Sequence, residues 1–409
     1  MEKHILVISQ YFFPEQFRIN DICEEWVKRG YKVTVVTGIP NYPQGKFYDG
    51  FGVFKQNKQT YRGIEIIRLP IVPRGNNSLM LALNYASFVV SGFFWQLFTE
   101  LKPDNVFIFE VSPMTQALPG VWLSKRRNIP CYIYVQDLWP ENVEIITGIK
   151  NKTIINAIGK MVDYIYKNST GIFTTSRSFV EAIISRGVDK VKVNYWPQYA
   201  EDFYVPVEKQ NIEEIPNVDN LNITFTGNIG QAQGLDILVE AAKILKEDYQ
   251  VDNVTFNIVG DGRYKEKFKQ NITDNEVTDM FHFVGKQKPE KIPDILASSD
   301  VAFLSLIKDP LFSKTIPAKL QSYMACGKPI LAAADGETST IILESECGIC
   351  VPSGDALALA KGILEYLEMP SEKIAGIGTK AKSYYDENFK KSLLMNEMDR
   401  TFTKNLLEV

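Results

Sequence analysis

Histidine is nearly missing from this chain: His4 and His282 are the only two among 409 residues. That leaves little for an imidazole-based metal centre. Five cysteines are scattered along the sequence, too few for a disulfide framework. Cys347 and Cys350 make one CxxC, with no second ligand pair at zinc spacing, so the cysteines read as structural and the setting as reduced and cytoplasmic. There is no excess of positive charge. Lysine and arginine number 45 against 49 acidic residues, the net charge is −4 and the pI about 5.6, which excludes a general nucleic-acid footprint. No charged leader precedes the first apolar run, and no short-period repeat or low-complexity tract is present. Glycine is also absent where it is expected first. The loop "SQYFFPEQFRIN", Ser9 to Asn20, follows the strand-like "HILVI" and has no room for a bare phosphate cradle.

What is present is alternation. "HILVI", "KVTVVT", "IEIIRL", "NVFIFE", "CYIYVQ", "GIFTTS" and "VKVNYW" read as strands, and helical patterns at 21–29, 79–101 and 153–167 separate several of them. A second series, "NITFTG", "TFNIVG", "HFVG", "VAFLSL", "PILAA" and "GICV", begins near Leu221. Strand–helix alternation implies parallel sheets with crossover helices. With 45% hydrophobic residues and a length that suits two domains of about 150–200 residues, the chain reads as two doubly wound α/β domains. Residues 1–200 form the first and 201–382 the second. A last helical pattern, 383–409, has no strand after it and is assigned to the first domain.

Ligands of open parallel sheets bind at the carboxyl ends of the strands. In the second domain "FTGNIGQAQGLDILVEAAKIL" runs strand, loop, helix through Gly227, Asn228, Gly230 and Gln233, a small-residue loop that brings backbone N–H groups to an anion. "IVGDGRYKEKF", with Gly260, and "FVGKQK", with Lys286, add two more turns. "DPLFSKTIPAKLQSYMACGKPIL" starts a further helix, with Thr315 placed to cap it. Lys314 and Lys319 sit where positive charge opposes the helix dipole, a cost that a nearby anion offsets.

Together with "YFFPE", "RGYKVTVVTG", "VQDLWPE" and "TTSRSF", the order of these segments resembles the retaining GT-B glycosyltransferases of the large family-four group. "QYFFPEQFRIN", "GIPNYPQGK", "VQDLWPENV" and "GNIGQAQGL" are most similar to the branch of O-antigen, capsule and colanic-acid assembly, which includes transferases of fucose and N-acetyl-L-fucosamine. The resemblance covers nearly the whole chain. It implies the GT-B fold, two Rossmann-like domains facing a cleft with the C-terminal helix crossing back. It implies a nucleotide-sugar donor, UDP-linked, on the second domain, a polyprenyl-pyrophosphate-linked saccharide acceptor on the first, and neither metal nor cofactor.

The sequence departs from the family at charged positions. Where members carry Arg and Lys on the diphosphate, Asn228 and Gln233 stand here. Where members carry a pair of Glu, Lys314 and Ser322 stand. The expectation is relocation, with Lys314 and Lys319 supplying the positive charge and Ser322 bonding a ribose hydroxyl. Gln136 replaces a family His. Beside it Asp137, at a strand end, is the candidate for orienting a reacting hydroxyl, with a cap as the plainer reading. Trp139 offers a sugar-stacking face or packing. Glu15, Arg18 and Asn20 are the acceptor-side candidates, against a loop stapled by its own aromatics. Two other readings stay open: a sugar-nucleotide epimerase on the same fold, and a non-catalytic partner subunit. The charge-free run from Asn76 to Thr99 reads as a buried helix, or as one lying on a membrane with Lys125, Arg126 and Arg127 nearby.

Overall fold

The computed structural model describes residues 3–143, 148 and 150–406. The chain folds as two compact units, one of residues 1–196 and 399–409, the other of residues 197–398.

The first unit is built on an eight-stranded sheet. Its strands are β1 (His4–Ile8), β2 (Lys32–Gly38), β3 (Lys58–Tyr61), β4 (Ile64–Leu69), β5 (Asn105–Glu110), β6 (Cys131–Val135), β7 (Gly171–Thr174) and β8 (Val193–Tyr195), in the order β3-β4-β2-β1-β5-β6-β7-β8. All pairings are parallel except β3 with β4. The antiparallel edge strand β3 carries "KQTY", too polar to stand out as a strand. β1, β5 and β6 are buried along their whole length, as strands covered on both faces must be, and their Ile, Val and Phe runs follow from that. The crossovers are α1 (Arg18–Lys28), α2 (Ser78–Phe98), α3 (Leu118–Arg127), α4 (Lys152–Lys167) and α5 (Arg177–Ser185).

The buried reading of α2 needs correcting. Its inward side holds Asn84, Tyr85, Phe88, Gly92 and Gln96, while Leu79, Leu83, Val90, Phe93, Phe94, Leu97 and Phe98 are exposed. The polar residues are inside because each has a partner there. Asn84 accepts from Gln10 Nε2 at 2.7 Å and donates to the Val72 carbonyl at 2.6 Å, and Gln96 Oε1 accepts from Arg126 Nε at 3.1 Å. Gly92 lets α2 close on α3: a Cβ there would lie 2.3 Å from Pro119.

The second unit has six parallel strands, β9 (Leu221–Asn228), β10 (Val254–Asp261), β11 (Phe281–Gly285), β12 (Val301–Ser305), β13 (Ile330–Ala333) and β14 (Gly348–Val351). Their order, β11-β10-β9-β12-β13-β14, reverses direction between β9 and β12, the doubly wound topology. The helices are α6 (Asp236–Asp248), α7 (Lys265–Asp274), α8 (Ile292–Ser298), α9 (Ala318–Ala325), α10 (Glu337–Ser345), α11 (Ala356–Glu368), α12 (Ser371–Asn388) and α13 (Lys391–Leu406). The tail pattern read as one helix is two, broken where Phe389 turns into the core of this unit and its N–H bonds the Tyr385 carbonyl. The boundary between the units falls inside α13, after Met398. Within the first unit Phe402 packs on Tyr132, Trp26 and Phe107, and Asp399 pairs with Arg29 at 2.8 Å.

Candidate functional site

At the carboxyl ends of β9, β10 and β11 the second unit holds a cavity of about 790 Å³. Gly227, Asn228, Gly260 and Lys286 line it, together with Tyr204, Asp261, Gly262, Arg263 and Gln287. Sequence reasoning misses the last five, although "VGDGR" is a signal that could find three of them. The floor is two loops in van der Waals contact. Ile229 donates its N–H to the Asp261 carbonyl at 2.9 Å, and Tyr264 returns one to the Ile229 carbonyl at 3.1 Å. A Cβ on Gly260 would lie 1.8 Å from the Gly227 carbonyl oxygen, and one on Gly262 2.2 Å from that of Ile229. No side chain fits either position. With φ of +130° and +144°, Gly227 and Gly260 also adopt backbone that other residues rarely take.

The rest of the glycine loop leans on β12. Ser305 Oγ donates to the Gln233 carbonyl at 2.5 Å, and the Ile307 N–H bonds the Ala232 carbonyl at 3.1 Å. Gly230 is closed against Asn228, whose Nδ2 would lie 2.7 Å from its Cβ.

Lys319 joins this loop from the first turn of α9. Its Nζ donates to Gln233 Oε1 and lies 4.0 Å from the centroid of the Phe225 ring. A Cβ on Gly227 would be 3.8 Å from that ammonium, so the charge sits directly beneath a residue lining the cavity. The stem of Lys319 is partly exposed while its ammonium is enclosed, and that enclosure lowers its pKa from 10.5 to about 7. A neutral amide therefore stands in the glycine loop, and a buried amine from the facing helix donates to it.

Other candidates are placed differently. Lys314 is partly buried in the turn Phe312–Lys314 ahead of α9 and does not line the cavity. Thr315 does not cap α9. Its hydroxyl donates back to the Phe312 carbonyl at 2.9 Å, and the helix begins after Pro317 with no side-chain cap. Pro317 fixes its own extended backbone at the cap position, which moves the start two residues on. Ser322 Oγ reaches the Ala318 carbonyl at 3.3 Å and lies near enough to the hydroxyl of the cavity residue Tyr204 to act on its proton.

In the first unit the acceptor-side loop is stapled by aromatics, one pair its own and one shared with β3. Phe12 and Tyr11 are buried, Tyr11 stacks on Phe17 at 5.3 Å and Phe13 on Tyr61 at 3.6 Å. Glu15 is not available to a ligand. It is buried and accepts backbone N–H groups from Asn41 at 2.8 Å, Tyr42 at 2.7 Å and Phe12 at 3.3 Å. Burial pushes its carboxyl up to about 7 despite those donors. The loop folds over a carboxylate because three N–H groups there have no other partner. Asn20 Nδ2 donates to the Glu15 carbonyl at 2.7 Å. Arg18 opens α1, near enough to the Tyr134 hydroxyl to act on it electrostatically.

Asp137 follows β6 and accepts from both Ser112 N at 2.9 Å and Ser112 Oγ at 2.7 Å. Its own N–H reaches Glu110 Oε2 at 3.4 Å. Glu110, at the end of β5, is fully buried, and its enclosure, then Asp137, push its carboxyl well up. It was hidden inside the apolar run "NVFIFE". Trp139 is 4% exposed and donates Nε1 to Ser112 Oγ at 3.2 Å, so it packs and offers no stacking face.

Comparison with known proteins adds the family. Residues 207–384 match the glycosyl transferases group 1 and residues 16–197 the glycosyl transferase 4-like domain. The second unit thus carries a group 1 glycosyltransferase domain and the first a glycosyltransferase 4-like domain. This glycosyltransferase is 25% identical over 413 residues to the putative colanic acid biosynthesis glycosyl transferase WcaI of Escherichia coli K12, covering 96% of this chain and 98% of that protein. It is 26% identical to the probable glycosyltransferase WbjE of Pseudomonas aeruginosa over 75% of this chain and 77% of that one. Among solved structures, sucrose-phosphate synthase from Thermosynechococcus elongatus superposes with a TM-score of 0.74 at 16% identity over the whole of both chains. Anabaena Alr3699/HepE, solved with UDP and glucose, gives 0.69 at 17% identity over 98% of this chain and all of that one. The transferase has the GT-B fold of these neighbours.

Proposed function

We propose that this glycosyltransferase moves a sugar from a UDP-sugar to a polyprenyl-pyrophosphate-linked saccharide, with retention and without a metal, in bacterial surface polysaccharide synthesis. It works in the cytoplasm, in peripheral contact with the inner face of the plasma membrane. The donor is N-acetyl-L-fucosamine or a related amino or deoxy sugar, on the strength of the motif resemblance in the first unit. The carrying observation is the cavity over the crossed glycine loops, with Arg263 and Lys286 on its wall and the Lys319 ammonium beneath Gly227. Backbone that close to open space, next to enclosed positive charge, suits a diphosphate.

As the sugar–phosphate bond breaks, negative charge grows on the leaving diphosphate. Lys319 and Arg263 stabilise it, with Lys314 reaching in from its turn. Ser322 serves a ribose hydroxyl beside Tyr204. On the first unit Asp137, held by Ser112, orients the acceptor hydroxyl, and Arg18 meets the acceptor pyrophosphate. The relatives named for colanic acid synthesis support the pathway class.

Incubating the protein with UDP-sugars and a lipid-linked saccharide tests the reading. A new glycoside supports it. An epimerised nucleotide sugar would point to the epimerase, and no product with any donor would point to a partner subunit, the reading that the replaced glutamates at Lys314 and Ser322 would favour.

A further inference from the structure

The polarity of α2 is inverted. Its exposed residues Leu79, Leu83, Val90, Phe93, Phe94 and Leu97 recur at helical spacing and form one apolar stripe. Leu79 is 70% exposed, Phe94 55% and Phe98, at the end, 80%. No charged residue occurs from Ser78 to Phe98. Among the described residues α2 is the one helix long and apolar enough to cross a membrane. It does not cross one here, because its inner face is hydrogen-bonded into the domain through Asn84, Ser87 and Gln96. Apolar surface of this extent, left facing water, is costly and marks a contact.

The charges beside it select the partner. Phe93 meets the Trp122 ring edge-on at 5.5 Å. One turn beyond Trp122 on α3 stand Lys125 and Arg126, both exposed, and Lys102 follows the end of α2. Glu100 is the acid between them. An aromatic and aliphatic stripe rimmed by cations fits an anionic lipid interface, with the stripe in the acyl boundary and the lysines at headgroup level.

We propose that the outer face of α2, with Trp122 and Lys125, docks on an anionic bilayer and lies in its plane. The inner face of the same helix carries the consequence. Asn84 holds Gln10, and Gln10 N bonds Gln116 Oε1 at 2.7 Å, so the bilayer-facing helix grips the start of the loop that leads to Arg18. Docking therefore presents that loop to a lipid-linked acceptor. Only this last step rests on the transferase reading.

The test needs no turnover. The full chain is sedimented with vesicles of phosphatidylcholine alone and of phosphatidylcholine mixed with phosphatidylglycerol, at low and high salt. The expected result is binding to the mixed vesicles, weaker at high salt. Replacing Phe93, Phe94 and Phe98 together with serine reduces it by roughly tenfold or more, and Lys125→Glu reduces it while leaving the apolar stripe intact. These side chains are exposed, and circular dichroism melting checks that both variants stay folded. No binding by the wild type, or undiminished binding by the serine variant, overturns the proposal. A dimer in solution that the serine variant breaks would also overturn it, because a second copy would then cover the stripe.

Discussion

Lys319 allows the diphosphate site to be tested through protons. In the ligand-free protein its ammonium is enclosed between Phe225 and Gln233 and titrates at about 7 instead of 10.5. The folded chain thus binds fewer protons than the unfolded one between those values, and this group makes stability rise with pH across that window. A displacement of that size corresponds to about 4–5 kcal/mol. A diphosphate beside Gly227 would favour the charged form and raise the value again. At pH 8 the free lysine is roughly nine-tenths neutral, so nucleotide binding should take up close to one proton, and affinity should fall about tenfold per pH unit above 7. Calorimetry with UDP at pH 8, in buffers of different ionisation enthalpy, reads the uptake directly. Lys319→Met should abolish uptake, flatten the pH dependence and weaken UDP binding. It should also make the ligand-free protein more stable at pH 7, by about 2 kcal/mol, since the lost bond to Gln233 is worth less than the burial of charge. Tight UDP binding with no proton uptake and flat affinity from pH 7 to 9 would refute the placement of the diphosphate over Lys319.

Lys314→Ala should weaken UDP-sugar binding and turnover together, by about 1.5–3 kcal/mol for a lost charge-assisted bond, and wild-type constants in that variant would sink the relocated-charge reading. Arg18→Ala should raise the acceptor KM and Asp137→Asn lower kcat, each with UDP affinity unchanged by calorimetry. Glu15, with its carboxyl raised from 4.5 to about 7, stabilises the fold fully below the lower value and less as pH rises through the upper one. Glu15→Gln should flatten that slope in urea titrations. Glu15→Ala should cost about 1–3 kcal/mol for each N–H of Asn41 and Tyr42 left unpaired. Turnover should survive excess EDTA, because lysines and an arginine carry the diphosphate charge, and loss of rate restored by magnesium would count against that.

Both sheets, apart from the polar edge strand β3, were legible in the sequence because strands buried on two faces need unbroken Ile, Val and Phe runs. The glycine loop was legible because only glycine lets Gly227 and Gly260 touch. What failed were residues whose role depends on what the fold wraps around them. Glu15 reads as an exposed charge until three backbone N–H groups converge on it. Glu110 is one letter at the end of an apolar strand. Thr315 has the right chemistry for a cap, but Pro317 decides where the helix begins. Arg263 lies in a turn that its glycines mark, yet its charge goes unread because the family's cation belongs to another loop. α2 misled by composition, since hydropathy counts apolar residues without saying which side of the helix they take.

The boundary within α13 bears on how the two units could be separated. A chain ended at Trp196 keeps every strand of the first sheet, yet it lacks Phe402. Trp26, Phe107 and Tyr132 would then surround a vacant aromatic socket, and Arg29 would keep Glu25 but lose Asp399. Emptying a site of that kind costs about 3–5 kcal/mol, a large share of what a domain this size has to spare. The turn around Phe402 is thus a plug, made only after the whole second unit, for a hole left in the first. The N-terminal half completes its core only after the C-terminal half has been made.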